Sequence, residues 1–312
     1  MSGKFFVTFV LIIAIVLLSA TACGLNNTPE QTPDIQQTVM YDREGNPIVL
    51  PDSIERVISM GPSITEILVE LGFADKIVAI DEFSNNIPGL SQGLPIFDMM
   101  TPDSERIIDL SPDLLFVSGL SRYGGADDSL SLIASVGITI VFIPTSESLE
   151  GIMDDITFIG MVMGAYERAQ GIAEMMQQEI NTISAIGYGI GDRRTVYFEV
   201  SPAPFLVSFG YGVFLNEVIE LIGAENVLSD LDGWISISDE IILAANPDVI
   251  LTSVDFIDEP IEEIISRPGW DALTAVREGA VHYIDADSSN RPSHNVVLAM
   301  REMARAVYPE YY

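Results

Sequence analysis

One short stretch occurs twice in altered form, and it limits the chain to a narrow set of folds. The first copy runs from Ser104-Glu105 to Pro112-Asp113 and on into Leu114-Leu115-Phe116-Val117. The second runs from Asp239-Glu240 to Pro247-Asp248 and on into Val249-Ile250-Leu251. In both, a Glu opens a short amphipathic helix, a Pro-Asp pair stops it, and an apolar run follows. Proline lacks a backbone donor and disfavours helix in the residue before it, so the chain turns there. The run has no polar alternation, which is the pattern of a strand buried on both faces. A second pair accompanies the first: Thr65-Glu66-Ile67-Leu68-Val69-Glu70-Leu71-Gly72 is echoed by Asn216-Glu217-Val218-Ile219-Glu220-Leu221-Ile222-Gly223. Each is a helix with an apolar stripe and a terminal Gly, where a left-handed cap is cheap. A helix, a Pro-Asp and a strand are common α/β grammar when they occur once. Two pairs in the same order predict two similar α/β lobes.

Composition narrows the function. A chain of 312 residues has room for two lobes, and 48% hydrophobic with 19% charged residues is globular. With 46 acidic against 14 basic residues the net charge is −32, which excludes a nucleic-acid-binding surface. Cys23 is the single cysteine, so neither an intrachain disulfide nor a multi-thiolate metal site can form. His282 and His294 are the only histidines, which closes mechanisms that need a histidine cluster.

The N-terminus reads as a signal peptide over residues 1–22: Lys4, an apolar segment over 5–18 too short to span a membrane comfortably, then Ser19-Ala20-Thr21-Ala22. With Cys23 next, this resembles the lipobox of bacterial and archaeal lipoproteins, although Ala20 replaces the usual Leu. The resemblance implies lipidation at Cys23 and an extracytoplasmic protein anchored to the cell membrane. Residues 23–38 read as a flexible polar tether. A hairpin is expected over 40–50, turning near Glu44-Gly45-Asn46. An N-terminal α/β lobe follows over 39–145, with strands at 56–60, 76–80, 113–117 and 138–143. Residues 147–186 lack a strand signal and carry Ile and Met at helical spacing, so 146–190 is a helical bridge whose Met stripe is core. A C-terminal lobe over 191–312 has strands at 195–200, 248–252 and 281–285 and a last helix at 295–307. Strands alternating with helices predict largely parallel sheets.

Several of these motifs together resemble one family. Val57-Ile58-Ser59-Met60-Gly61-Pro62-Ser63-Ile64-Thr65-Glu66, the 104–118 stretch, its echo, and Asn290-Arg291-Pro292-Ser293 look like the substrate-binding proteins of ABC importers for cobalamin, iron-siderophores and haem. The resemblance covers nearly everything after about Asp42. It implies two α/β lobes bridged by one long helix, a ligand cleft between them, no enzymatic activity and no cofactor. The implied partners are a permease dimer, a metal-chelate ligand and the membrane through the lipid anchor, with the protein a monomer. By resemblance, Glu105 and Glu240 match the two carboxylates, one per lobe, that dock on permease arginines.

In such folds the loops after the parallel strands line the cleft. Those loops carry Ser63, Phe83, Arg122 and Tyr123 in the first lobe, and Phe205, Phe209, Tyr211, Trp234, Asp287 and Arg291 in the second. Trp234 and Asp287 fall where cobalamin-binding members carry ligand-contacting Trp and Asp. The loop around Arg122 lacks the Trp that some cobalamin binders have there. Arg122 and Arg291 would suit carboxylates of a siderophore or haem. A corrinoid is therefore placed ahead of an iron-siderophore. Haem is an alternative, with Tyr123, Tyr211 and Met99-Met100 as available iron ligands. Free Zn²⁺ or Mn²⁺ is a further one, which the two histidines serve poorly. A secreted α/β hydrolase is the reading from another class: Gly89-Leu90-Ser91-Gln92-Gly93 matches G-x-S-x-G, but the prolines around it predict a plain loop.

Overall fold

A computed structural model describes residues 40–312, the side chains of residues 122–124 excepted. The expected signal segment, Cys23 and the tether lie outside the described residues. The chain enters as the hairpin β1 (Met40–Tyr41) and β2 (Pro47–Ile48), whose turn is tied by Asp42 Oδ1 accepting from the amides of Glu44 and Asn46. Next come β3 (Val57–Met60), α1 (Pro62–Glu70), β4 (Ile77–Asp81), β5 (Ile96–Phe97), α2 (Ser104–Asp109), β6 (Leu114–Ser118), α3 (Asp127–Ser135) and β7 (Thr139–Ile143). Their strands form one sheet in the order β5-β4-β3-β6-β7, parallel throughout.

Two helices follow, α4 (Leu149–Val162) and α5 (Tyr166–Gly187). The remaining elements are β8 (Thr195–Glu199), β9 (Val207–Phe209), α6 (Phe214–Leu221), β10 (Glu225–Asn226), β11 (Trp234–Ser236), α7 (Asp239–Ala245), β12 (Val249–Thr252), α8 (Pro260–Ile265), α9 (Thr274–Arg277), β13 (Val281–Tyr283), α10 (Ala286–Asn290) and α11 (Val296–Val307). The second main sheet has the order β10-β8-β12-β13 and is again parallel. The strands β9 and β11 pair antiparallel beside it.

Apart from the edge strand β5, the first sheet reads β4-β3-β6-β7, which the second matches position by position. The repeated stretches hold equivalent places: α2 feeds β6, and α7 feeds β12. The residues before the two prolines, Ser111 and Asn246, both take left-handed conformations, with φ of 47° and 45°. The Asp after each proline then closes on the start of the neighbouring central strand. Asp113 Oδ2 accepts from the amides of Glu55 and Arg56, each at 2.8 Å. Asp248 Oδ2 accepts from the amide and hydroxyl of Thr195, each also at 2.8 Å. Backbone donors at the end of a buried strand need such partners. The Pro-Asp pair is thus a strand clamp as well as a helix stop.

The linking stretch contains the expected long helix, 22 residues, as α5, together with a second helix, α4. Gly164, at φ 73°, ends α4, and the amide of Ala165 bonds back to Gly160 O at 2.7 Å. Gly160 also lets the two helices approach, since a Cβ there would stand 2.2 Å from Ala169 Cβ. A lone Gly in an apolar, helix-periodic run is a weak breaker signal, and its cap geometry shows only when the helices pack.

α4 packs on α1, and α5 on α6 and α11, so the pair joins both sheets. One continuous apolar core results, running from Ile64 and Phe116 through Ile152, Ile156 and Ile180 to Phe198, Leu251 and Met300. Met163 and Met176 belong to it and Met153 packs against it, whereas Met161 and Met175 are exposed, so the Met stripe is only partly core. Each fully buried Ile or Leu contributes roughly 1.5–3 kcal/mol. Opening that separates the sheets at these helices would expose them, so only small opening motions are expected.

Candidate functional site

The C-terminal ends of the parallel strands in both sheets supply loops to a shared cleft, which holds two adjoining cavities. The first, about 640 Å³, is lined on one side by Glu44 at the hairpin tip, Leu120 after β6 and Glu147 after β7. Gly212, Val213 and Trp234 line it from the second sheet. The second cavity, about 560 Å³, takes Pro62, Phe83 and Asn86 from the first sheet and Asp255, Asp287 and Arg291 from the other. Leu120 lines both. Each cavity falls within the range of small-molecule pockets, and they lie where open α/β sheets bind ligands. A larger cavity of about 870 Å³ is bounded by residues of the second lobe alone, among them Asp192, Arg193, Asp248, Arg305 and Glu310.

The walls are locally rigid. Asp81, wholly buried at the end of β4, accepts from Phe83 N at 2.8 Å and from Ser84 Oγ. Burial raises its pKa, and the Ser84 hydrogen bond opposes that shift. Thr65 Oγ1 lies 2.8 Å from Ser59 Oγ and 3.0 Å from Ser84 Oγ, tying α1 to the same turn. Glu82 accepts from Met99 N at 2.9 Å. These bonds present Phe83, 58% exposed, to the cleft. On the facing wall, β11 pairs with β9 so that Trp234 stands opposite Phe209, their rings edge-to-face at 5.7 Å. Gly210 makes this possible, because a Cβ there would sit 2.0 Å from Leu231 O.

The residues expected at the site divide accordingly. Phe83, Trp234, Asp287 and Arg291 line the cavities. Ser63 lies half-buried in the first turn of α1, beside the cavity-lining Pro62. Phe205 and Tyr211 are 79% and 69% exposed and line neither cavity. The backbone of Arg122 and Tyr123 runs in the short turn Gly119–Gly124, and their side chains are outside the described ones. Phe209 requires correction. It is 0% exposed, packed on Phe198 and covered by Trp234, its cross-strand partner on the same face.

Arg291 also departs from its expected role of meeting ligand carboxylates. Its Nη1 donates to Glu66 Oε1 at 2.8 Å, and its Nη2 to Asn86 Oδ1 at 2.9 Å and Phe83 O at 3.1 Å. Asp287 Oδ1 stands 2.6 Å from the same Nη2, and Asp287 Oδ2 accepts from Asn86 Nδ2 at 2.8 Å. Glu66 in turn accepts from Ser293 Oγ and Asn295 Nδ2. The result is a polar bridge across one end of the cleft, with Arg291 and Glu66 side chains 11% and 7% exposed. Sequence reasoning missed Glu66, Asn86, Glu44 and Glu147, whereas Leu120 lies in the loop Gly119–Gly125 that was expected to line the cleft. A Glu within an amphipathic helix carries no local signal of a partner from the other lobe.

Glu105 and Glu240 are exposed in the first turns of α2 and α7 and line neither cavity. The Ser238 hydroxyl donates to Glu240 and holds its carboxyl below the usual carboxylate range. The Gly89–Gly93 string runs through coil between a short 3-10 turn and β5, without the strand-to-helix turn of a nucleophile elbow. Among the described residues no cluster of three His, Cys, Asp or Glu is placed to hold a metal ion.

Comparison with known proteins points the same way. A family profile described as periplasmic binding protein matches residues 57–288. A Bacillus subtilis protein named an uncharacterized ABC transporter substrate-binding lipoprotein is 26% identical over 97% of this chain and 96% of its own length. Two solved structures are each 26% identical. One, from Staphylococcus epidermidis, is described as a possible iron-binding periplasmic solute-binding protein and superposes with a TM-score of 0.73 over 82% of this chain and 100% of that one. The other, the periplasmic vitamin B12-binding protein of Vibrio cholerae, gives 0.69 over 83% and 98%.

Proposed function

The chain belongs to the periplasmic binding protein family, and from that premise we propose that its cleft captures a metal chelate, a corrinoid ahead of an iron-siderophore, for delivery to an ABC permease. The family consists of solute-binding components of ABC transporters, which carry out no chemistry, so the cleft is a binding site and the protein is not an enzyme. The observation that carries the ligand reading is Trp234, 48% exposed on the cleft wall and braced from behind by the buried Phe209. A braced aromatic face suits a large flat chelate, because it covers much area and loses little conformational freedom on binding. Two adjoining cavities, one on each side of Leu120, suit a ligand larger than either alone.

Trp234→Ala is expected to weaken cyanocobalamin binding by about 2 kcal/mol, near thirtyfold, the scale of an anchor-residue truncation. Calorimetric titration of the parent with cyanocobalamin, haem and a ferric trihydroxamate ranks the ligands. A parent that binds haem or the hydroxamate and ignores the corrinoid would refute the corrinoid preference. Unchanged affinity in Trp234→Ala for whichever chelate binds would refute the role of the ring.

The family places the protein outside the cytoplasm, and no helix among the described residues is long and apolar enough to cross a membrane. We further propose attachment through a lipid on Cys23. Cys23→Ser is expected to shift the protein from the membrane fraction to the soluble one, and equal partitioning of parent and variant would rule the anchor out.

A further inference from the structure

On the reading that this cleft holds the ligand, we propose that Asn86 is the residue that closes it. Its carboxamide joins the two lobes in a contact that parts when a chelate exchanges, and so sets how long the chelate stays. Asn86 lies in the loop between β4 and β5 of the first lobe. Its Nδ2 donates to Asp287 Oδ2 at 2.8 Å, and its Oδ1 accepts from Arg291 Nη2 at 2.9 Å. Asp287 and Arg291 are an ion pair four residues apart in the second lobe, one in α10 and the other just past its end. A carboxamide carries a donor and an acceptor side by side, so it can meet an acid and a base at once. A carboxylate in its place would repel Asp287, and an ammonium would repel Arg291.

The bridge is graded in burial, and the grading divides its work. The inner layer joins Glu66 to Arg291 Nη1, Ser293 and Asn295, and the Glu66 and Arg291 side chains are 7% and 11% exposed. Parting that pair strands a desolvated charge, so the inner layer stays made while the protein is folded. The outer layer joins Asn86 to Asp287, whose side chain is 44% exposed, and Asn86 is itself exposed. Water replaces these partners as they separate, so the outer layer opens at small cost. The inner layer is the pivot and the outer layer is the part that moves. A small movement suffices, in keeping with the continuous core behind the cleft.

The same contact is part of the ligand wall. Phe83, Asn86, Asp287 and Arg291 all line the second cavity, so both sides of the contact face the space a chelate would fill. Arg291 Nη2 also donates to Phe83 O at 3.1 Å, which ties the exposed Phe83 to the same closure. Parting Asn86 from Asp287 therefore widens the cavity and frees the wall around it. Contacts that must break on the way out act chiefly on the dissociation rate. Asn86 is a positioning residue in this sense: it holds the two walls at the separation that retains the ligand.

The test compares the parent with Asn86→Ala and Asn86→Gln by two readouts. The first is hydrogen exchange of backbone amides without ligand, which reads local opening. Asn86→Ala is expected to speed exchange at least about threefold over residues 286–295 of the second lobe as well as over 82–90, with the sheets unchanged. Asn86→Gln keeps both polar groups and is expected to fall between parent and Ala. The second readout is stopped-flow displacement of cyanocobalamin, haem and a ferric trihydroxamate. For whichever of them binds, dissociation is expected to be at least about fivefold faster in Asn86→Ala, with association changed less. Were Asn86 only to shape its own loop, exchange would rise over 82–90 alone. Were it only to touch the ligand, dissociation would rise with exchange over 286–295 unchanged. Either result overturns the inference, and so does faster exchange without faster dissociation. If none of the three probes binds the parent, the chelate reading falls, and exchange over 286–295 alone decides whether Asn86 closes the cleft.

Discussion

Chelate uptake is expected to be lost when Glu105 and Glu240 are both replaced by Arg, while ligand affinity stays at the parent value. The two side chains stand seven residues before the Pro-Asp of their repeats, at the heads of α2 and α7, which feed the equivalent strands β6 and β12. Each helix runs antiparallel to the strand it feeds, so both carboxylates sit at the strand-C-terminal edge of their own sheet. That is the edge at which the cleft opens. A two-fold permease offers the same surface twice, which explains why each lobe would need its own carboxylate. Exposed charges act mainly on orientation and encounter, so either Ala variant alone should lower uptake several-fold and less so at high salt. The surface is so acidic that one lost carboxylate is diluted; reversal to Arg adds repulsion against permease arginines and should reduce uptake by at least about tenfold. Parallel transport and titration assays check this. Parent-level uptake in the double Arg variant would remove the docking role, and so would lost ligand binding in either Ala variant.

The largest expected loss of stability comes from the bridge across the cleft. Glu66→Ala leaves the Arg291 guanidinium buried with half its ionic partners gone, and it strips acceptors from Ser293 and Asn295. Removing one member of a buried, hydrogen-bonded ion pair costs about 3–5 kcal/mol, because the other charge stays desolvated. For a chain of this size that corresponds to a fall in Tm of roughly 10 °C. Glu66→Gln keeps an acceptor and should fall between parent and Ala. The double variant Glu66→Ala/Arg291→Met should recover part of the loss, since no buried charge is left unpaired and Asp287, which loses its ionic partner, is 44% exposed. Thermal unfolding of the three variants decides the matter, and a Glu66→Ala shift under about 2 °C would mean that the bridge carries little of the stability.

Much of the architecture was legible because it is encoded locally. Prolines at 112 and 247, each followed by Asp and an apolar run, mark a helix end and a buried parallel strand without reference to any other part of the chain. Their recurrence in order was enough to predict two lobes, and the matching strand orders β4-β3-β6-β7 and β10-β8-β12-β13 follow from that repetition. Short elements escaped. β5, β10 and the β9–β11 pair are two or three residues long, below the length at which alternation can be read.

The site divides along the same line. Phe83 was identifiable from residue type and position after a strand, and Trp234 from its place before Glu240 by resemblance; both reach the cleft. Phe209 is an aromatic of the same kind, yet it is buried, because Trp234, its cross-strand partner from far along the chain, covers it. Arg291 is the clearest case. By sequence alone it was an arginine free to meet a ligand's carboxylate, and Glu66 was one more polar residue on a helix. They are 225 residues apart, and only the packing of α1 against the segment after α10 brings them to 2.8 Å. Repetition and turn chemistry, which act over a few residues, determined what the lobes are. Which charges are spent across the cleft and which remain for a ligand depended on contacts between distant segments, and those exist only once the lobes have come together.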